Sequence, residues 1–167
     1  VSAHIAKLLG EQSFAFSVIG LTSIHRRLFE GVFKFAGKIR DYDITKKEWV
    51  LRGDTVLYVH SEDIRRALEY DLEQEKNFVY AGLTHDQMVE HISKFVSGLW
   101  QIHPFGEGNT RTVAVFTIKY LRFIGFYVEN DLFANHSWYF RNALVRANYR
   151  NAVKGVEPDM KYLVRFF

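Results

Sequence analysis

Apolar residues recur at intervals of three and four along most of the chain, the spacing of helices that bury one face. Ile24, Leu28, Val32 and Phe35 form one such stripe, with Thr22 or Ser23 as its cap and Gly37 as its break. Ser61-Glu62-Asp63 opens a second helix, which turns Ile64, Leu68 and Leu72 inward and pairs Glu62 with Arg66 on its wet face. Thr84-x-x-Gln87 has the reciprocal form of a capping box and predicts a third helix, with Met88, Ile92, Phe95 and Leu99 on one side and an end before His103. From Asn109 the pattern changes. Val113, Val115, Phe116, Ile118, Tyr120, Leu121, Phe123 and Ile124 leave almost no polar face, so this helix belongs in the centre of a bundle and stops at Gly125. Two further helices are expected, from Ser137 to Asn148 and from Pro158 onward.

Between Arg40 and His60 the helical period is lost, and β-branched and aromatic residues flank Thr45-Lys46-Lys47-Glu48 and Arg52-Gly53-Asp54, which predicts a short hairpin. The pattern as a whole predicts an all-α bundle with one small β element, in which the loop after His103 joins two core helices. Composition adds limits. With 167 residues, 48% hydrophobic and 16% aromatic, the chain is sized for one domain over 1–167, although Val1 and the helical run into Phe167 suggest trimming from something longer. The net charge of +3 is spread along the sequence, so no nucleic-acid partner is expected, while an anionic nucleotide would be favoured. Without cysteine there is no disulfide or thiolate metal site. A reducing cytosol is compatible with that, and since no apolar run reaches the ~18 residues of a membrane span, a soluble protein is expected.

The chemistry is concentrated in His103-Pro104-Phe105-Gly106-Glu107-Gly108-Asn109-Thr110-Arg111. Pro104 and the glycines interrupt regular helix, and Asn109 suits an N-cap, which puts Arg111 in the first turn of the next helix. Unpaired N–H groups at a helix start, with glycines that let an anion approach the backbone, make a phosphate site. A first-turn cation opposes the helix dipole unless an anion lies between them, so Arg111 points to the same ligand. His103 is a general base of suitable pKa, Glu107 an oxygen ligand for Mg²⁺, and Phe105 an apolar anchor for the loop. The other histidines (His4, His25, His60, His85, His91 and His136) have no chemical company in the sequence. His85 and His91 look like surface positions, and Trp100, Trp138 and Tyr139 read as core.

The loop resembles the signature of Fic domains, His-Pro-Phe-x-x-Gly-Asn-Gly-Arg-x-x-Arg, in which an acidic residue usually precedes the first Gly. Six of eight compared positions match: His103, Pro104, Phe105, Gly108, Asn109 and Arg111. Thr110 stands where the second Gly is usual and Ala114 where the closing Arg is usual. The stretches Ile24 to Phe29 and Phe35 to Arg40 also resemble the approach to the family's flap.

The resemblance implies a Fic-type helical bundle with a β-hairpin flap over the active-site loop, and transfer of AMP from ATP to a Ser, Thr or Tyr hydroxyl of a target protein. It implies His103 as the base, Glu107 on Mg²⁺, and nucleotide contacts at Gly106, Gly108, Asn109, Thr110 and Arg111, joined by Lys46 from the flap. The target would dock along the flap at Ile44 and Thr45. The setting would be the bacterial cytoplasm, with secretion as an effector also open. Phosphoryl or phosphocholine transfer on the same fold, or a nucleotide-binding module with a degenerate motif, are the alternatives. Ala114 implies a weakened hold on the γ-phosphate and poor discrimination between ATP and ADP. No Ser/Thr-x-x-x-Glu-Gly/Asn inhibitory motif occurs, so any inhibitory segment or partner would lie outside this chain.

Overall fold

A computed structural model describes residues Val1–Phe167. Its helices are α1 (Ser2–Gly10), α2 (Val18–Phe29), α3 (Ile64–Lys76), α4 (His85–Ile102), α5 (Asn109–Phe123), α6 (Asp131–Asn135), α7 (Ser137–Asn148) and α8 (Lys161–Phe166). There is no β-sheet, only an isolated bridge between Asn151 and Val156. No helix is long and apolar enough to cross a membrane.

The predicted central helix is α5. Val113, Val115, Phe116, Ile118 and Leu121 are buried along it, and α1, α2 and α4 pack around it. It ends as the Gly125 position requires: with Gly125 at φ 103°, the Phe126 N–H reaches the Leu121 carbonyl at 2.9 Å and the Gly125 N–H reaches Arg122 at 3.1 Å. Lys119, charged and mid-helix, is nevertheless buried. Its ammonium donates to the Leu8 and Glu11 carbonyls, each at 2.8 Å, and so satisfies the C-terminus of α1. Helix α7 packs on α8 and α4, closing the bundle on the other side.

The capping box of α4 forms in full, and Ile92, Phe95 and Leu99 face the core while Met88 is half-buried. Ile64, Leu68 and Leu72 are buried along α3 as expected, but Arg66 pairs with Asp63 rather than Glu62. Three boundaries differ. Helix α2 starts at Val18, because Ser17 is extended and its side chain accepts the Gly20 N–H at 3.0 Å, a better cap than Thr22 or Ser23. It ends at Phe29, leaving Val32 exposed and Phe35 in a turn, where Phe29, Phe33 and Phe35 stack in series. Helix α8 begins at Lys161, past Pro158, and α1 and α6 carry no strong stripe in the sequence.

The expected hairpin between Arg40 and His60 does not form a ladder. The segment is extended around one 3₁₀ turn, Trp49–Leu51, closed by the Glu48 N–H on the Asp54 carbonyl at 2.9 Å. Alternation fails because Glu48 turns its carboxylate inward to Arg141, while the Arg40 guanidinium binds both arms, at the Tyr42 and Val59 carbonyls. Side chains thus take acceptors that a ladder would use.

Close packing at the start of α2 gives a direct test. A Cβ on Gly20 would stand 1.9 Å from the Ala15 carbonyl oxygen, so backbone must move. Gly20→Ala should lower stability by about 1 to 3 kcal/mol, read as a reduced urea midpoint at unchanged slope.

Candidate active site

The His103 loop is built by three anchors. Phe105 is buried and stacks on the His25 ring at 3.8 Å between centroids. His25 also accepts the Gly37 N–H at 2.8 Å on Nδ1 and donates from Nε2 to the Glu107 carbonyl at 2.9 Å. Burial lowers its pKa and keeps the ring in this single neutral tautomer. Asn109 is the second anchor, and it is not the N-cap. Gly108 occupies that position, and the Asn109 amide closes the loop on itself, accepting the Phe105 N–H at 2.9 Å and donating to the Phe105 carbonyl at 2.7 Å. Gly108 has φ 84°, and a Cβ there would lie 2.4 Å from the Phe29 ring, so only glycine fits.

The third anchor is Arg40. Its buried guanidinium donates to the carbonyls of His103 at 2.7 Å, Ile102 at 3.2 Å, Tyr42 at 2.8 Å and Val59 at 2.5 Å, and its own N–H reaches the Pro104 carbonyl at 2.8 Å. These bonds hold His103 at φ 52°, a left-handed conformation rare for histidine.

His103 is 1% exposed, lies flat on Tyr58 at 4.0 Å and meets the edge of Trp100 at 4.9 Å. Its Nδ1 lies 3.0 Å from the Trp100 carbonyl, which can only accept, so Nδ1 carries the proton. Nε2 then holds a lone pair, and it is one of three buried side-chain polar atoms with no partner in the protein. Burial pushes the pKa down to about 3, with Lys46, Arg141 and Arg40 adding repulsion.

Around this ring opens a cleft of about 240 Å³ lined by Lys46, Glu107, Gly108, Thr110, Arg111 and Arg141 among others. Lys46 Nζ stands 3.4 Å from the Glu107 carboxylate, and Arg111 rests its guanidinium over the Phe29 ring at 4.8 Å. Thr110 accepts the Trp100 indole N–H at 3.0 Å, and Gly106 sits against the Tyr42 hydroxyl. The expected residues other than Gly106 therefore meet at one cleft. Glu107 is the only carboxylate lining it, and no cluster of three acidic or histidine side chains that could hold a metal exists anywhere in the chain. A lone exposed carboxylate fits Mg²⁺ that takes its remaining ligands from phosphate and water.

Sequence reasoning missed Arg141 and Trp138. Both come from the start of α7 and line the cleft, and Trp138 is 70% exposed rather than core. Their only sequence signal was an Arg three residues after a Trp at a helix start. His25 and His91 also have partners that the sequence does not show. The first is a loop anchor, and the second stacks on Phe78 and bonds the buried Glu75 carboxylate at 2.5 Å, which Tyr80 and Tyr120 also reach.

Residues 15–121 match the family model of the Fic/DOC family. A Salmonella typhimurium protein named probable protein adenylyltransferase Fic is 29% identical over 120 residues, 71% of this chain and 56% of its own. Its namesake from Escherichia coli is 32% identical over 98 residues, 58% of this chain and 45% of its own. The chain spans about half the length of these curated relatives. Its fold is similar to that of BepC, a VirB-translocated effector of Bartonella tribocorum solved with AMPPNP bound, at a TM-score of 0.73 and 21% identity over 99% of this chain and 79% of that one.

The depressed pKa of His103 has a consequence for stability. Between about pH 3 and the ordinary histidine value near 6.5, the unfolded chain binds a proton at this ring that the folded chain does not. Stability therefore rises with pH in that window and falls on acidification. From pH 7 to pH 5 this ring should account for a loss of about 2 kcal/mol, so urea unfolding of His103→Gln should show a smaller acid loss than the parent.

Proposed function

The chain belongs to the Fic/DOC family, and on that premise we propose that it transfers AMP from ATP to a side-chain hydroxyl of a target protein. One observation carries the reading: a neutral histidine whose Nε2 lone pair has no protein partner faces a cleft with three cations, Lys46, Arg111 and Arg141. A serine, threonine or tyrosine hydroxyl is a poor nucleophile until a base takes its proton, and Nε2 of His103 is that base. The hydroxyl oxygen bonds to the α-phosphorus, the bond to the β-phosphate oxygen breaks, and pyrophosphate leaves. Charge growing on the α-phosphate oxygens is met by backbone N–H groups at Gly108, Asn109 and Thr110 and by Arg111. Glu107 would hold Mg²⁺, which would supply further neutralisation of phosphate charge. Burial disfavours a proton on the ring in the free protein, and Lys46 and Arg141 add repulsion. A bound polyphosphate offsets both cations, so the nucleotide raises the basicity of His103 in the complex.

For target docking the reading uses the segment 40–60. No backbone hydrogen bond within the chain involves Ile44 or Thr45, and Thr45 is exposed. An extended target segment can pair with these groups as an added strand and bring its hydroxyl to His103.

With Mg²⁺ and α-labelled ATP, label should pass to protein in a bacterial lysate, whereas γ-label should not. His103→Ala should abolish the transfer and leave ATP affinity within a few-fold, since Nε2 acts on the hydroxyl and not on the phosphates. Undiminished labelling by that variant would sink the mechanism. Arg111→Ala should weaken binding and transfer together, by about tenfold or more for a lost charge-assisted contact. Calorimetry alongside the labelling assay separates the two effects.

A further inference from the structure

The cleft has a cation that the loop motif does not supply. Arg141 reaches it from the second turn of α7, on the far side from Arg111 in sequence, and stands beside His103 and Thr110. Its guanidinium has two neighbours. One terminal nitrogen donates to both oxygens of the buried Glu48 carboxylate, at 2.8 and 3.0 Å, and the other reaches the Thr110 hydroxyl at 3.3 Å. A guanidinium has five N–H donors. Nε has no protein partner, the second terminal nitrogen keeps a free N–H, and the side chain is 32% exposed into the cleft. Ala114, one turn from Arg111, brings no charge, and the pocket it lines with Phe133 and Phe140 is largely apolar. Of the cleft's two cations beyond Arg111, Lys46 lies against Glu107 at the exposed mouth, and α7 provides the other.

We infer that Arg141 binds the phosphates of the donor beyond the α-phosphate, held in place for this by Glu48 and Thr110. The two departures from the loop pattern then belong together. Thr110 supplies the hydroxyl that anchors the guanidinium, and Arg141 supplies the charge that Ala114 lacks. Glu48 comes from the segment 40–60, so this cation also ties that segment to the cleft floor. The inference rests on the nucleotide reading above, deepens it by assigning the polyphosphate subsite, and reverses the expectation from Ala114 that the outer phosphates are weakly held.

The test measures binding of ATP, AMP and inorganic tripolyphosphate by calorimetry to the parent, Arg141→Gln, the double variant Arg141→Gln/Glu48→Gln and Arg146→Gln. The double variant is needed because Arg141→Gln alone leaves the Glu48 carboxylate buried without a counter-ion. Arg146→Gln removes an equal charge from the same helix at a residue that stacks on Tyr162 outside the cleft. The expected result for the folded double variant is a loss of about tenfold to a hundredfold in affinity for ATP and tripolyphosphate, with AMP within about twofold of the parent and Arg146→Gln unchanged. Equal tripolyphosphate binding by parent and double variant overturns the assignment, as does a parent that does not bind tripolyphosphate. Loss of AMP binding in equal measure also overturns it, since that marks general damage to the cleft. The α-label assay separates the two proposals. Arg141-dependent tripolyphosphate binding without AMP transfer leaves this assignment standing and removes the transferase reading, whereas transfer with unchanged affinity in the double variant does the reverse.

Discussion

The Arg40 guanidinium is the contact on which the site depends. It is buried without a carboxylate partner and is satisfied by four backbone carbonyls from both ends of the segment 40–60 and from the end of α4. Burial lowers its pKa, and only these four hydrogen bonds make a cation tolerable there. Because those acceptors include the His103 carbonyl, the same contact fixes the left-handed backbone of the base and the course of the segment that covers it. Removing the side chain would strand four carbonyls at once, so the site cannot relax locally.

Given that frame, the electrostatics of the cleft follow. A buried imidazole with its proton committed to the Trp100 carbonyl has no choice but to present a bare lone pair. Burial holds that ring neutral in the free protein, the cations around it add to the effect, and they make the cleft attractive to a polyanion. Two carboxylates moderate the excess. Glu107 lies against Lys46 at the exposed mouth, and Glu48 lies under Arg141 in the interior. Exposed pairs such as the first exchange partners readily, whereas the second is sheltered and holds its geometry.

Loop shape depends on side chains that titrate or stack but have no part in the proposed chemistry. His25 joins α2, the turn at Gly37 and the Glu107 carbonyl in one ring, with Phe105 stacked upon it. A histidine in the middle of an apolar stripe gives no hint of partners 12 and 82 residues away. The same holds for His91, whose partner Glu75 is a helix away and buried with two tyrosine hydroxyls. Local spacing carries the face a residue occupies and says nothing of what stands opposite.

By itself the sequence determined the bundle's central features: the capping box of α4, the inward faces of α3 and α4, the central α5 and its glycine stop, although Phe123 at its end lies exposed, and the span of α7. These rest on periodicity and capping, which are properties of neighbours in the chain. It also located the site loop, because a base, two glycines, an amide and a guanidinium lie within nine residues. Only the tertiary structure decided the rest. The segment 40–60 forms no hairpin because Arg40 and Glu48 find partners on α4 and α7, and Asn109 closes the loop instead of capping because Gly108 can take the left-handed turn against Phe29. Arg141 joined the cleft for the same reason: a long side chain's role is set by which buried charges the fold places within its reach, and that is a distance through space that no spacing along the chain encodes.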